Sequence, residues 1–169
     1  MKNAILLLAA LALACAPSAT AAPDKPAAPA PASPARRADA CRASGKVTFE
    51  IDQRVDPGAK LPTSTVKVFA NGAWTRDETD AEGKALPQRT GCLAKPDAQQ
   101  LDTALGGAPW KIIKAQFHCM AMTPQFTVYQ VDGKPVFTQR LCSGESLDEK
   151  SRAKLDAAIA LVEQAQKAS

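Results

Sequence analysis

The sequence predicts an α+β domain: an antiparallel sheet of hairpins with one short helix and a long C-terminal amphipathic helix on one face. Three observations carry that reading. Lys46–Arg54 alternates apolar and polar side chains with the period of a half-buried strand. Asn71-Gly72 and Asp132-Gly133 stand between expected strands, where a tight hairpin turn is needed. From Ser146 onward the apolar residues recur at a helical interval instead.

Taken in order, Lys46–Arg54 sets Val47, Phe49 and Ile51 on one face against Lys46, Thr48 and Glu50 on the other. Thr65–Ala70 and Ala73–Glu78 flank Asn71-Gly72. A two-residue type I′ turn there would place Phe69 opposite Trp74 and Lys67 opposite Arg76. Asp97–Leu105 reads as a short helix stopped by Gly106. Lys111–Met122 and Phe126–Val131 are expected as strands around Thr123-Pro124, and Asp132-Gly133 turns the chain into Val136–Leu141. Ser146 and Glu149 have the spacing of a capping box, which satisfies otherwise unpaired N–H groups at a helix start. Leu155, Ala158, Ile159, Val162 and Ala165 then share one face, and Asp148 and Arg152 lie four apart, where opposite charges meet. Strands followed by a helix that needs an apolar cover give the α+β class.

Upstream of this domain the composition changes twice. Lys2 precedes an apolar run from Ala4 to Ala14, shorter than the roughly 20 residues of a spanning helix but of the length of an export signal. Ala19-Thr20-Ala21 offers cleavage before Ala22, giving a signal peptide over 1–21. Leu11-Ala12-Leu13-Ala14-Cys15 resembles a bacterial lipobox, giving a lipoprotein signal over 1–14 and lipidation of Cys15. Residues 22–40 form a Pro/Ala-rich linker, and six of the 13 prolines fall between Pro17 and Pro34. Proline fixes φ and lacks an N–H, so this tract favours extended conformation, builds no core and is expected to be disordered. Residues 41–169 make one domain of ordinary size. The protein is therefore expected outside the cytoplasm, as an outer-membrane or periplasmic lipoprotein or a secreted protein, with a lipid anchor as its one membrane contact.

With the upstream charges set aside, the domain carries 17 basic and 15 acidic residues. No Lys/Arg stripe interleaved with aromatics runs through it, so nucleic acid is not an implied partner. Four of the five cysteines belong to the domain: Cys41, Cys92, Cys119 and Cys142. An even number in an exported protein predicts two disulfides. None of these cysteines has the close spacing of a zinc site, and no metal or other cofactor is expected. Three connectivities are open. Cys41–Cys92 with Cys119–Cys142 is preferred, because it ties the domain's start to the loop ending at Cys92.

No motif forces a chemistry. His118, the single histidine, adjoins Cys119 on an expected strand, where neighbours point to opposite faces and make a poor dyad. Glu78-Thr79-Asp80-Ala81-Glu82-Gly83 imitates the start of a calcium loop, but its twelfth position is Arg89 rather than a bidentate glutamate. Ser143-Gly144-Glu145-Ser146 lacks the glycine spacing of a nucleophile elbow, and Gly106-Gly107 lacks the Lys-Ser of a phosphate loop. Asp52, Asp56, Asp77 and Asp80 could meet in space as catalytic carboxylates, which keeps a small secreted hydrolase as an alternative. No catalytic residue is assigned, and the protein is not expected to be an enzyme.

The segment Gly83–Cys92 shows neither helical nor strand period, contains Pro87 and ends at a cysteine. A loop stiffened by proline and pinned by a disulfide loses little entropy on docking. Leu86, Pro87, Gln88, Arg89 and Thr90 are therefore the candidate binding residues. The hairpin Phe126–Lys134 followed by an amphipathic helix resembles small secreted protease inhibitors of the emfourin and Streptomyces subtilisin-inhibitor type. The likeness covers Lys46 to Val162 as topology, and no reactive residue carries over. It implies a non-enzymatic exported module whose partner is a protein, a protease among the candidates. A tethered envelope accessory or structural lipoprotein is the other non-enzymatic alternative.

Overall fold

A computed structural model describes residues 42–107, 109–114 and 123–169, all within one compact unit. The described strands are β1 (Val47–Val55), β2 (Thr63–Phe69), β3 (Ala73–Thr79), β4 (Arg89–Cys92), β5 (Ile112–Lys114), β6 (Gln125–Val131), β7 (Lys134–Arg140) and β8 (Glu145–Leu147). The described helices are α1 (Lys95–Leu105) and α2 (Glu149–Lys167). Six strands form one antiparallel sheet in the order β4-β3-β2-β1-β6-β7, and β5 pairs with β8 separately.

Alternation along the strands decides which face is covered. Register sets Phe49 beside Val68 and Val131, and Ile51 beside Val66 and Tyr129. Trp74 lies across from Val68, and Phe137 from Tyr129. Leu155, Ala158, Val162 and Ala165 of α2, with Leu101 and Leu105 of α1, pack on this apolar face. Phe49 and Trp74 are fully buried, and an apolar ring of this size contributes about 2–3 kcal/mol when buried. Thr48, Glu50, Asp52, Lys67 and Asp77 take the opposite face, as their odd or even positions require. The α+β class, the antiparallel sheet and the C-terminal helix on one face are as the sequence predicts.

Five expected strands coincide with β1, β2, β3, β6 and β7 to within two residues at each end. The first hairpin, however, is out of the expected register by one: Val68 pairs with Trp74, and Val66 with Arg76. A type I′ turn needs positive φ at both central residues. Gly72 has φ 80, but among the described non-glycine residues only Asp132 and Cys142 are positive, so Asn71 is not. Asn71 instead accepts the Ala73 N–H through Oδ1 at 3.2 Å and donates Nδ2 to the Arg42 carbonyl at 2.8 Å. The Gly72 N–H bonds the Phe69 carbonyl at 2.8 Å, which makes a three-residue loop ending in a glycine bulge. The two-residue turn occurs at Asp132-Gly133, with φ 54 and 76.

The C-terminal helix also starts differently from the capping-box expectation. Ser146 pairs with Ile113 inside β8, a strand with no period to announce it. Asp148 is the N-cap, and its Oδ1 accepts the Ser151 N–H at 2.9 Å. Hydrogen bonds from the Ser151 side chain and backbone hold the Asp148 carboxyl below its usual range. Arg152, expected to pair with Asp148, donates to Ser146 Oγ at 2.6 Å. α1 begins at Lys95 with Pro96 in its first turn, where a missing N–H costs nothing. Of the expected strand Lys111–Met122, Ile112–Lys114 is β5; residues 115–122, with His118 and Cys119, lie outside the described residues. Cys92 ends β4 and Cys142, with φ 69, follows β7; Cys15, Cys41 and the linker 22–40 also lie outside the described residues.

Candidate functional site

The segment from Asp80 to Cys92 is built from a turn and an edge strand. Asp80 closes the turn: its Oδ1 accepts the N–H groups of Glu82 at 3.1 Å and Lys84 at 2.8 Å. The Asp80 N–H donates to the Lys84 carbonyl, and the Gly83 N–H donates back to Asp80. Gly83 stands at φ 82, where a side chain would be strained. The acidic stretch that imitates a calcium loop thus spends its central carboxylate on its own backbone. Glu78, at its start, binds Arg76 Nη2 at 2.7 Å.

Beyond the turn the chain lies along β3 rather than projecting from the domain, which corrects the expectation of an irregular loop. Ala85 bridges Thr79, and the Leu86 N–H bonds the Glu78 carbonyl at 2.9 Å. Gln88 Nε2 reaches Asp77 Oδ1 at 2.7 Å, and Arg89 pairs with Arg76 to open β4. From Ala85 to Arg89 the outer chain takes one more residue than β3 does from Thr79 to Arg76. That extra residue makes a bulge around Pro87, a position that has no N–H to leave unpaired. Pairing with β3 is strand structure without a strand period, because Leu86, Pro87 and the bulge break the alternation.

The bulge brings Leu86 and Arg89 to the same side as α2, while Gln88 turns to the other. Arg89 Nη2 donates to the Gln166 carbonyl in the last turn of α2 at 3.1 Å. Gln166 also accepts Arg76 Nη1 on Oε1 at 2.8 Å. Gln166 is buried at the end of the apolar stripe, and it ties β3, β4 and the helix end together. Sequence reasoning missed Arg76, Glu78 and Gln166. The single signal available was a glutamine on the inner face of a helix otherwise lined by Leu, Ala and Val. Residues 82–90 are all exposed, Leu86 at 45%. A large apolar side chain therefore stands in water on a backbone held at both ends.

The four aspartates flagged as a potential catalytic group are not brought together. Asp52 accepts from Thr65 Oγ1 at 3.0 Å and from Arg54, Asp56 pairs with Arg140, Asp77 takes Gln88, and Asp80 caps its turn. Asp52 and Asp77 share a face but stand on either side of Thr65, two strand spacings or about 10 Å apart. A concavity of about 570 Å³ lies between α1 and α2, lined by Pro96, Gln100, Ala104, Ala157 and Leu161 among others. Its polar lining is Gln99, Gln100, Thr103 and Gln164, with no charged side chain, and the Thr103 hydroxyl donates to the Gln99 carbonyl at 2.8 Å.

No described helix is long and apolar enough to cross a membrane. Compared with known proteins, the chain matches no family model, no curated protein and no solved structure.

Proposed function

We propose that this is a non-enzymatic, exported protein-binding module that engages its partner through Leu86–Thr90, with protease inhibition as the specific form of that binding. The observation that carries the reading is the exposed, extended segment fixed in place before any partner arrives. The turn at Asp80, the Leu86–Glu78 and Gln88–Asp77 hydrogen bonds and the Arg89–Gln166 contact hold it. Pre-ordering lowers the entropy lost on binding, and an extended segment is the conformation proteases accept. Two disulfides, Cys41–Cys92 and Cys119–Cys142, are part of the proposal. Cys92 ends β4 and Cys142 lies two residues past the end of β7, and these opposite edge strands are about five strand spacings or roughly 24 Å apart, too far for the two to bridge each other. Arg42 is held by Asn71, beside the β3–β4 pair that contains Cys92, which favours Cys41 as the nearer partner. Export through the signal at 1–21 or 1–14, with Cys15 as the lipid anchor in the second case, completes the reading.

The test is inhibition of a panel of secreted endoproteases by the purified domain. The proposal expects at least one to be slowed while the domain stays intact, and the effect to vanish in Leu86→Ser/Arg89→Gln. Cleavage after Arg89 with no protease slowed would remove the inhibitory form.

A further inference from the structure

We propose that the outer edge of β4 receives an acidic, extended segment of the partner as an added antiparallel strand. This deepens the function proposed for Leu86–Thr90 and rests on it.

Backbone direction supplies the first argument. In an antiparallel pair, residues alternate between those bonding the neighbour and those pointing away from it. The Leu93 N–H bonds the Gly72 carbonyl at 2.9 Å, and β3–β4 continues in that register. Gly91 and Arg89 therefore bond inward to β3. Thr90 directs its N–H and C=O groups outward, Gln88 in the bulge before β4 makes no backbone hydrogen bond to β3 among the described residues, and β4 ends the sheet. An edge of this kind binds an incoming strand through its main chain. The opposite edge, β7, has Pro135 near its start and lacks a donor there.

Charge supplies the second argument. From Gly83 to Pro96 the chain carries Lys84, Arg89 and Lys95 and no acidic residue. Lys167 adds a further cation one residue beyond Gln166, where Arg89 is bound. The nearest carboxylates on β3 are already engaged, Asp77 by Gln88 and Glu78 by Arg76. A strand laid along β4 would turn alternate side chains toward Arg89, so carboxylates at every second position complement this edge and ammonium groups do not.

The experiment measures amide exchange at Gln88 and Thr90 in the whole mature chain. The probes are a synthetic peptide alternating Glu with Val and Thr, and its counterpart with Lys in place of Glu. The inference expects the Glu peptide to slow exchange at both amides at least tenfold, and the Lys peptide to leave them unchanged. Thr90→Pro removes an outward N–H without touching a β3 bond, so it should abolish protection at Gln88 with little change in melting temperature. Equal protection by both peptides would overturn the acidic partner while leaving the edge as a binding strand. No protection by either would overturn the added strand. If inhibition that depends on Leu86 and Arg89 persisted alongside that failure, the proposed function would stand without it. If it were absent too, both would fall.

Discussion

Replacing Gly91 by alanine should loosen the strand that carries the candidate site, for a reason that can be worked from distances. A Cβ at Gly91 would lie 2.6 Å from Trp74 Cζ2, 2.8 Å from Trp74 Cε2 and 2.8 Å from Ser169 Oγ. Carbon atoms rest at about 3.5–4.0 Å, so the methyl intrudes on the indole by about 1 Å. Ser169 is exposed and can swing aside; Trp74 is fully buried and cannot. β4 must then lift away from β3. Forced overpacking of this kind costs about 1–3 kcal/mol. Alanine also stiffens the unfolded chain, which offsets about 0.4–1 kcal/mol. The net loss of about 1–2 kcal/mol corresponds to a fall in melting temperature of about 4–8 °C for a domain of this size. Thermal unfolding followed by circular dichroism checks it, with Thr90→Ala, exposed on the same strand, as a control expected to change stability by less than about 0.5 kcal/mol. Gly91→Ala melting at or above the wild-type temperature would refute the steric argument.

The Asp148 cap gives a pH signature. Its folded-state carboxyl is held low by Ser151, so its stabilisation is present above the unfolded value of about 3.9 and is lost as pH falls through the folded one. Asp148→Ala should thus melt lower than wild type at neutral pH and alongside it at strongly acid pH; a constant difference would contradict the cap. Tyr129 is the single tyrosine, its hydroxyl bonds Gln139 at 2.8 Å, and burial followed by the Asp156 and Glu163 charges raises its phenol. Its contribution is complete below the unfolded value of about 10 and is lost as pH rises through the folded one. Tyrosinate absorbance should accordingly appear at higher pH in the native domain than in denaturant, and coincident titrations would refute the burial. Thiol titration of the denatured, unreduced mature domain should find no free thiol at Cys41, Cys92, Cys119 or Cys142, and two or more would sink the proposed bridges.

What the sequence made legible follows from period. β1 alternates cleanly, Asp132-Gly133 marks the β6–β7 turn, and α2 carries its apolar stripe at helical spacing, so the class could be read directly. The hairpin at Asn71-Gly72 shows where local signals fail. The dipeptide suits two turn types, and the choice depends on Asn71 finding Arg42 and Ala73 as hydrogen-bond partners. Ser146 fits a capping box and is claimed by β8 instead, because pairing with Ile113 is a tertiary event. The candidate segment was found by its proline and its cysteine. Its support was invisible: Gln166 meets Arg89 across 77 positions and Arg76 across 90. Only folding brings such groups together, and no window of sequence contains them.

The central claim, that Leu86–Thr90 is the surface that holds a partner protein, is tested most directly by paired capture from an envelope extract. The mature domain and its Leu86→Ser/Arg89→Gln variant are immobilised at equal density after their melting temperatures are shown to agree. The account predicts at least one protein retained by the wild type, released by excess free wild-type domain and absent from the variant. An identical set of proteins on both, or none on either, would contradict it.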